Sequence, residues 1–95
     1  AYLKTKELIT MRYELIAKRH DAQKRIEAVK VETGHVLPMI LVWQQIDGKL
    51  HQYYTNRDGE EATVKALRHH QTGREYLTTN PDNTEENNLD ELPPI

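Results

Sequence analysis

The chain has 95 residues and a net charge of −2, with 37% hydrophobic and 29% charged residues. This length predicts one small domain, 1–95, with a limited core and only a few kcal/mol of net stability. The absence of cysteine excludes a disulfide framework, a thiolate nucleophile and a cysteine-ligated zinc site.

The longest apolar run, 36–43, gives no indication of a membrane segment. It contains Pro38 and is far shorter than the roughly 20 residues that cross a bilayer as a helix. It also lies in the middle of the chain, where a signal peptide is not found. We therefore expect a soluble, cytoplasmic protein without membrane contact.

Charge and composition divide the chain into three parts. A polar leader is expected at 1–7, a sheet body at 8–79 and an acidic C-terminal clasp at 80–95. The last part holds five acidic residues and no Lys or Arg, so 1–79 carries 13 bases and 10 acids. Such a tail either attracts a basic partner or lies on its own body, and we favour the second.

The first predicted element is a strand that begins at Leu8. From Ile9 to Ala17, apolar and polar residues mostly alternate, which is typical of a half-buried strand. A helix is the alternative, because Leu8, Met11 and Leu15 also have helical spacing. A charged connection is expected at 18–25.

A second strand is predicted at 26–32, and a short helix follows it. Proline suits the first turn of a helix, so we place the helix at 38–46 and its end at Gly48. The alternative is a strand that enters a hairpin at Asp47-Gly48. In the helix, the buried stripe consists of Met39, Val42, Trp43 and Ile46, and we expect Trp43 to pack against the sheet.

The rest of the sheet body, from residue 50 to residue 79, is predicted to form further strands separated by turns. The strands are expected at 50–56, 62–67 and 74–79, with turns at 56–59 and 69–73. Asn80-Pro81-Asp82-Asn83 then breaks the sheet, because proline removes a ladder donor. The predicted fold is α+β: a small antiparallel sheet of four to five strands, one short helix and a C-terminal segment packed on the body. An all-β meander is the alternative.

The tail contains two leucines three positions apart, Leu89 and Leu92. One helical or 3₁₀ turn would direct both side chains to the same surface. Asn87-Asn88 suits the start of that turn, and Pro93-Pro94 ends it. We expect the leucines to dock on the protein's own sheet as a clasp; a partner-binding peptide is the alternative.

The C-terminal third carries a recognisable pattern. It reads Gly73-x-x-Tyr76-Leu77-x-Thr79-x-x-Asp82-x-Thr84, followed by Asn87-Asn88-Leu89-Asp90-Glu91-Leu92-Pro93. This pattern resembles the signature of a family of small, mostly bacterial proteins known as domain of unknown function 3892. The resemblance extends loosely upstream over roughly 9–93. It implies the fold and no activity, cofactor or catalytic residue.

The sequence gives little indication of catalysis. Serine and cysteine are both absent, so the usual nucleophiles are missing. The histidines show no helical i, i+4 pair, and the adjacent His69 and His70 would lie on opposite faces of a strand, so we expect solvent-facing residues and no metal site. We expect a non-enzymatic protein without a cofactor.

A protein–protein interaction module, or a self-associating one, is therefore the favoured function. The alternative is nucleic-acid binding through a mildly basic sheet face, which the pI near 6.2 disfavours. Its basic residues would be Lys18, Arg19, Lys24, Arg25, Lys65, Arg68 and Arg74. The candidate partner-binding residues are Tyr53, Tyr54, Tyr76, Leu89 and Leu92. Adjacent side chains in a strand alternate, so Tyr53 and Tyr54 should face opposite sides.

Overall fold

The structure, a computed structural model, describes residues 11–79 and 88–95. In chain order its elements are β1 (Met11–His20), β2 (Ile26–Val31), β3 (Val36–Pro38), α1 (Met39–Asp47), β4 (His51–Arg57), β5 (Glu60–Thr63), β6 (Lys65–Arg68), β7 (Glu75–Thr78) and a 3₁₀ helix (Asn88–Glu91). The predicted leader 1–7, the strand start at Leu8 and the sheet break at 80–83 lie outside the described residues.

Five strands form one sheet in the order β3-β2-β1-β4-β5, and β6 pairs with β7 in a separate two-stranded sheet. With α1, this confirms the α+β class and, in the part of the chain that the structure describes, the one short α-helix. The expectation of a purely antiparallel sheet is wrong, because β1 and β4 are parallel. Parallel neighbours need a long crossover connection, and the segment from β2 through α1 supplies it.

β1 confirms the strand predicted from alternation, but it extends beyond the expected end, to His20. Lys18 therefore belongs to the strand, and its placement in a charged connection was wrong. The pairing with β2 shifts register between Leu15 and Ala17, as a β-bulge does when it inserts one extra residue. Because of this shift, Leu15 lies opposite Val31 and Lys18 opposite Val29, so both face the core.

The turn predicted at 56–59 is a tight hairpin between β4 and β5. Asp58 and Gly59 both have positive φ angles, 52° and 89°, which is the signature of a type I′ turn. The Gly59 N–H donates to Asn56 Oδ1 at 3.0 Å. An Asp-Gly pair with Asn two positions before it suits this geometry, because Gly and Asp tolerate the left-handed region.

The helix is confirmed, at Met39–Asp47 with Pro38 as its N-cap. Its stripe faces inward: Val42 and Trp43 are buried, and Met39 and Ile46 pack against the core.

Among the described residues, no helix is long and apolar enough to cross a membrane.

The helix ends in a Schellman motif. Leu50 N–H donates to Gln45 C=O at 2.9 Å and Lys49 N–H to Ile46 C=O at 3.0 Å. This motif needs a left-handed residue at its C′ position, usually glycine, and here that residue is Lys49, with φ of 58°. Gly48 precedes it with φ of −80°, so the predicted stop is correct although the glycine does not supply the left-handed conformation.

The strand predicted at 62–67 is in fact divided between two sheets. Thr63 ends β5 and Lys65 begins β6, with Val64 between them. Val64 is buried, and its N–H donates to Tyr53 C=O at 2.9 Å. This hydrogen bond keeps Val64 attached to β4. The chain changes direction there, and the residues that follow pair with β7.

The core brings together side chains from the five-stranded sheet, α1, Val64, β7 and the C-terminal 3₁₀ helix. Trp43 is 3% exposed, and its indole N–H donates to Leu67 C=O at 2.8 Å. The predicted burial of Trp43 is confirmed, with the second sheet supplying its polar partner. The buried core consists of Leu15, Val29, Val31, Val42, Trp43, Tyr53, Val64, Leu77 and Leu89.

Candidate functional site

The five-stranded sheet has an outer face that points away from this core and carries polar side chains. The parallel register of β1 and β4 places Glu14 beside Tyr54. Tyr54 also lies opposite Thr63 of β5. Since residues two apart in a strand share a face, Arg12 lies on the same side as Glu14, and Glu61 on the same side as Thr63.

Arg12 connects two of these residues. Its Nη2 donates to Glu61 Oε1 at 2.7 Å, and its guanidinium carbon lies 3.9 Å from the centroid of the Tyr54 ring. The hydrogen bond to Glu61 raises the pKa of Arg12 above its ordinary value, so the guanidinium is charged at all relevant pH values. The site thus shows an arginine bound by one carboxylate and one aromatic face, two of its preferred contacts.

Two further carboxylates lie beside Tyr54 without a cationic partner. Glu32 Oε1 accepts a hydrogen bond from Glu14 N–H at 3.0 Å, and neither carboxylate pairs with a basic side chain in the described part of the chain. Desolvation raises the pKa of Tyr54, and Glu32, Glu14 and Glu61 raise it further. We call the five residues the Tyr54 surface: Arg12, Glu14, Glu32, Tyr54 and Glu61.

The five predicted partner-binding residues do not form one surface. Tyr53 and Leu89 are in the core, and Tyr76 is buried with its ring 4.6 Å from His69. Leu92 is partly buried against the core, which leaves Tyr54 as the half-exposed tyrosine on the outer face. The predicted opposition of Tyr53 and Tyr54 is confirmed. Partner binding through these residues stays a prediction.

The leucine clasp is present. Leu89 is 0% exposed within the core, Leu92 packs against it, and the predicted 3₁₀ turn spans Asn88–Glu91. Docking of the two leucines on the protein's own body is therefore confirmed. Arg57 of β4 adds an ion pair with Glu91.

Lys18 fixes the end of the tail to β1. Its backbone N–H donates to Pro93 C=O and its C=O accepts from Ile95 N–H, both at 2.9 Å. Its side chain is buried, and Nζ donates to Leu92 C=O at 2.7 Å. The pairing of β1 with β4 stops at Glu14. Further along β1, at Lys18, the tail forms a parallel bridge instead. Lys18 was missed as a structural residue because it begins the charged run Lys18-Arg19-His20.

The basic residues proposed for nucleic-acid binding are largely engaged within the protein. Besides Lys18, Arg19 pairs with Glu27 at 2.8 Å and Arg68 with Glu75 at 3.4 Å. The Arg68 guanidinium also lies 4.4 Å from the Trp43 ring centroid. Arg74 Nη2 lies 2.7 Å from His69 Nε2. Four of the seven side chains therefore have partners within the protein, and nucleic-acid binding stays a prediction.

A groove of about 730 Å³ lies between the β1–β2 loop, the start of α1 and β7. Apolar side chains such as Met39 and Ile40 line it together with acids and bases, among them Asp21 and Arg25. Asp21 is committed to its own loop: its Oδ1 accepts from Arg25 N–H at 3.0 Å, and that bond lowers its pKa. Because acidic and basic side chains line the groove together, its charge favours neither an anionic nor a cationic ligand.

The described residues contain no group of three His, Asp or Glu side chains placed to hold a metal ion. His69 is half-buried against Tyr76 and Arg74, whereas His70 is exposed. His35 and His51 line a smaller cavity on the core side of the sheet.

Comparison with known families gives a match over residues 14–93 to the family described as protein of unknown function, DUF3892. The chain belongs to this family. No curated protein and no solved structure matches it. The DUF3892 match therefore supports the resemblance seen in the C-terminal pattern and assigns no activity.

The DUF3892 match includes most of the features described above. Its range, 14–93, contains the Lys18 and Leu89 contacts of the clasp and all of the Tyr54 surface except Arg12. Sequence reasoning identified Tyr54 but missed the carboxylates around it. The sequence signal for this surface is the pair of polar residues in the alternating pattern of β1, Arg12 and Glu14. That pattern predicted the strand, but the polar residues were not taken as a site.

Proposed function

We propose that this DUF3892 protein is a non-enzymatic protein–protein interaction module, and that its Tyr54 surface binds a basic segment of a partner protein. The observation that supports this most directly is the position of Arg12. Its guanidinium lies between Glu61 and the Tyr54 ring, so the surface already binds the chemical group that a basic partner would present.

Charge complementarity supports the same partner. Glu14 and Glu32 lie beside Tyr54 and have no cationic partner among the described residues, whereas Glu61 is paired with Arg12. A lysine or arginine of the partner neutralises this excess of negative charge. Such steering raises the association rate and selects against acidic partners.

The expected affinity is modest. An exposed cation–π contact contributes about 0.5–1 kcal/mol, and an exposed ion pair contributes roughly 0–1 kcal/mol. Several such contacts must therefore act together, and salt should weaken them because exposed charges are screened. A reversible, salt-sensitive interaction follows from these magnitudes.

The test uses a fluorescently labelled arginine-rich peptide and fluorescence anisotropy at low salt. We expect Tyr54→Ala to weaken binding about two- to five-fold, because an Arg12 side chain that loses its contact with the ring competes with the peptide for Glu14 and Glu32. Glu14→Gln should weaken it to a similar extent. The matched control is Asp47→Asn, which removes the same charge from the exposed end of α1 and should leave binding unchanged. Equal binding of all four proteins, or equal binding of a glutamate-rich peptide, would rule out the proposal.

A further inference from the structure

A second cavity lies on the opposite side of the sheet from the Tyr54 surface. It has a volume of about 230 Å³, is open to solvent on one side and is lined by β1, the β2–β3 hairpin, the C-terminal half of α1 and β4. The lining residues are Tyr13, Val31, Thr33, His35, Leu37, Gln45, His51 and Tyr53.

Aromatic rings form much of its wall. The Tyr13 ring centroid lies 5.6 Å from that of His51, with the planes at 78°, and 5.7 Å from that of Tyr53, with the planes at 34°. These distances and angles are those of edge-to-face and tilted aromatic pairs. The rings hold one another in place, and the half-buried rings of Tyr13 and His51 present a surface that suits a flat ligand.

The polar groups of the cavity have defined hydrogen-bonding roles. His51 Nδ1 accepts from Met11 N–H at 3.3 Å, so in the neutral ring the proton is on Nε2, which is a donor. The Tyr53 hydroxyl donates to Gln45 Oε1, which leaves the Gln45 NH₂ group to donate. Burial raises the pKa of Tyr53, so its hydroxyl keeps the proton that this bond requires.

Among the residues that the structure describes, the lining contains no Asp, Glu, Lys or Arg. With His35 and His51 neutral, these lining residues have no group to compensate a phosphate, a carboxylate or an ammonium ion, whose burial unpaired is costly. Its volume is below the roughly 300–1,000 Å³ of pockets that bind drug-sized molecules. The ligand must therefore be both uncharged and small.

We propose that this cavity binds a small, uncharged, planar heteroaromatic molecule with carbonyl or ring-nitrogen acceptors, of the size of a pyrimidine base. Its face contacts the ring of Tyr13, and its acceptors receive hydrogen bonds from His51 Nε2 and the Gln45 amide. Val31 and Leu37 supply the apolar contacts. This site is independent of the Tyr54 surface, because the two lie on opposite faces of the sheet.

The test is a titration of the ¹⁵N-labelled full chain with uracil, followed in ¹H–¹⁵N correlation spectra. A ligand of this size can reach a dissociation constant of about 1 mM. We expect uracil to shift the amide signals of residues around the cavity, with benzoate, a charged ring of similar size, binding at least about ten-fold more weakly. Both ligands are compared on the unmodified protein, so this result does not depend on the folding of a variant.

A variant then tests the hydrogen bond. His51→Phe keeps an aromatic wall and removes the donor, so uracil binding should weaken by about ten-fold, whereas Tyr54→Phe, on the other face, should leave it unchanged. An absence of uracil-dependent shifts at millimolar concentration would overturn the proposal. So would equal binding of benzoate, or unchanged uracil binding to a folded His51→Phe protein.

Discussion

The two faces of the five-stranded sheet use similar residue types for different purposes. On the core face, Lys18 is buried and its Nζ donates to a backbone carbonyl of the tail. On the outer face, Arg12 is half-exposed and lies on Tyr54 and Glu61. The first basic residue fixes a segment of the protein's own chain, and the second takes part in a surface that other molecules can reach.

The difference teaches that burial, more than residue type, decides what a contact contributes. A fully buried leucine such as Leu89 contributes about 1.5–3 kcal/mol relative to exposure. An exposed ion pair such as Arg12 with Glu61 contributes roughly 0–1 kcal/mol. Changes on the core face should therefore affect folding, whereas changes on the outer face should affect recognition and leave the fold intact.

The largest expected effect is that of removing the tail after Thr84. The truncation eliminates the burial of Leu89, the contacts of Leu92 and the hydrogen bonds to Lys18, so we expect a loss of about 3–5 kcal/mol. For a domain of this size, that lowers the melting temperature by roughly 15–30 °C. Thermal unfolding followed by circular dichroism measures it. An unchanged melting temperature would show that the tail does not hold the fold together.

A single substitution tests whether the buried leucine of the tail accounts for its contribution to stability. Leu89→Ala should destabilise the protein by about 2–5 kcal/mol, the range for buried leucines. The matched control is Ile95→Ala in the same tail: Ile95 is 46% exposed, and surface substitutions usually stay within about 0.5 kcal/mol. Urea unfolding of both variants gives the two values. Similar losses in both would contradict the account, because they would mean that the burial of Leu89 adds nothing to stability beyond an exposed position of the same tail.

The same substitution, threonine to valine, can be made on each face of the sheet, at Thr55 and at Thr63. Thr55 is 3% exposed, and its hydroxyl has no hydrogen-bond partner among the described residues, whereas Thr63 is exposed on the outer face. An unsatisfied buried hydroxyl costs about 1–3 kcal/mol, so Thr55→Val should raise the free energy of unfolding by about 1 kcal/mol. Thr63→Val should have little effect. A destabilised Thr55→Val protein would indicate that the hydroxyl is satisfied in solution.

The smallest expected effect on folding is that of Tyr54→Ala. It removes the stacking of Arg12 at an exposed site, so the free energy of unfolding should fall by less than about 1 kcal/mol. Urea unfolding beside the Leu89→Ala protein checks this. A loss as large as that of Leu89→Ala would assign Tyr54 to the fold and remove the division between the faces.

The sequence was informative about local structure. Alternation predicted β1, Pro38 and Gly48 bounded α1, and the Asp58-Gly59 pair marked its hairpin, because each of these signals acts over a few residues. The leucine spacing predicted the 3₁₀ turn and its docking for the same reason.

The pairing of distant elements was harder to predict. Nothing local indicates that β1 lies parallel to β4, or that the chain leaves the first sheet at Val64. Arg12 and Glu61 are 49 positions apart, so their contact depends on that topology. Lys18 looked like part of a solvated charged run, since the bulge that turns it toward the core depends on its pairing with β2.

The most direct test of the division between the two faces is a chemical-shift map of the ¹⁵N-labelled protein with an arginine-rich peptide. We predict shifts concentrated at the amides of Arg12, Glu14, Tyr54 and Glu61, which diminish as salt is added because exposed charges are screened. The amides around Leu89 and Trp43 should stay unchanged. Shifts concentrated around Leu89 and the tail, or no shifts at low salt, would contradict the assignment of recognition to the outer face.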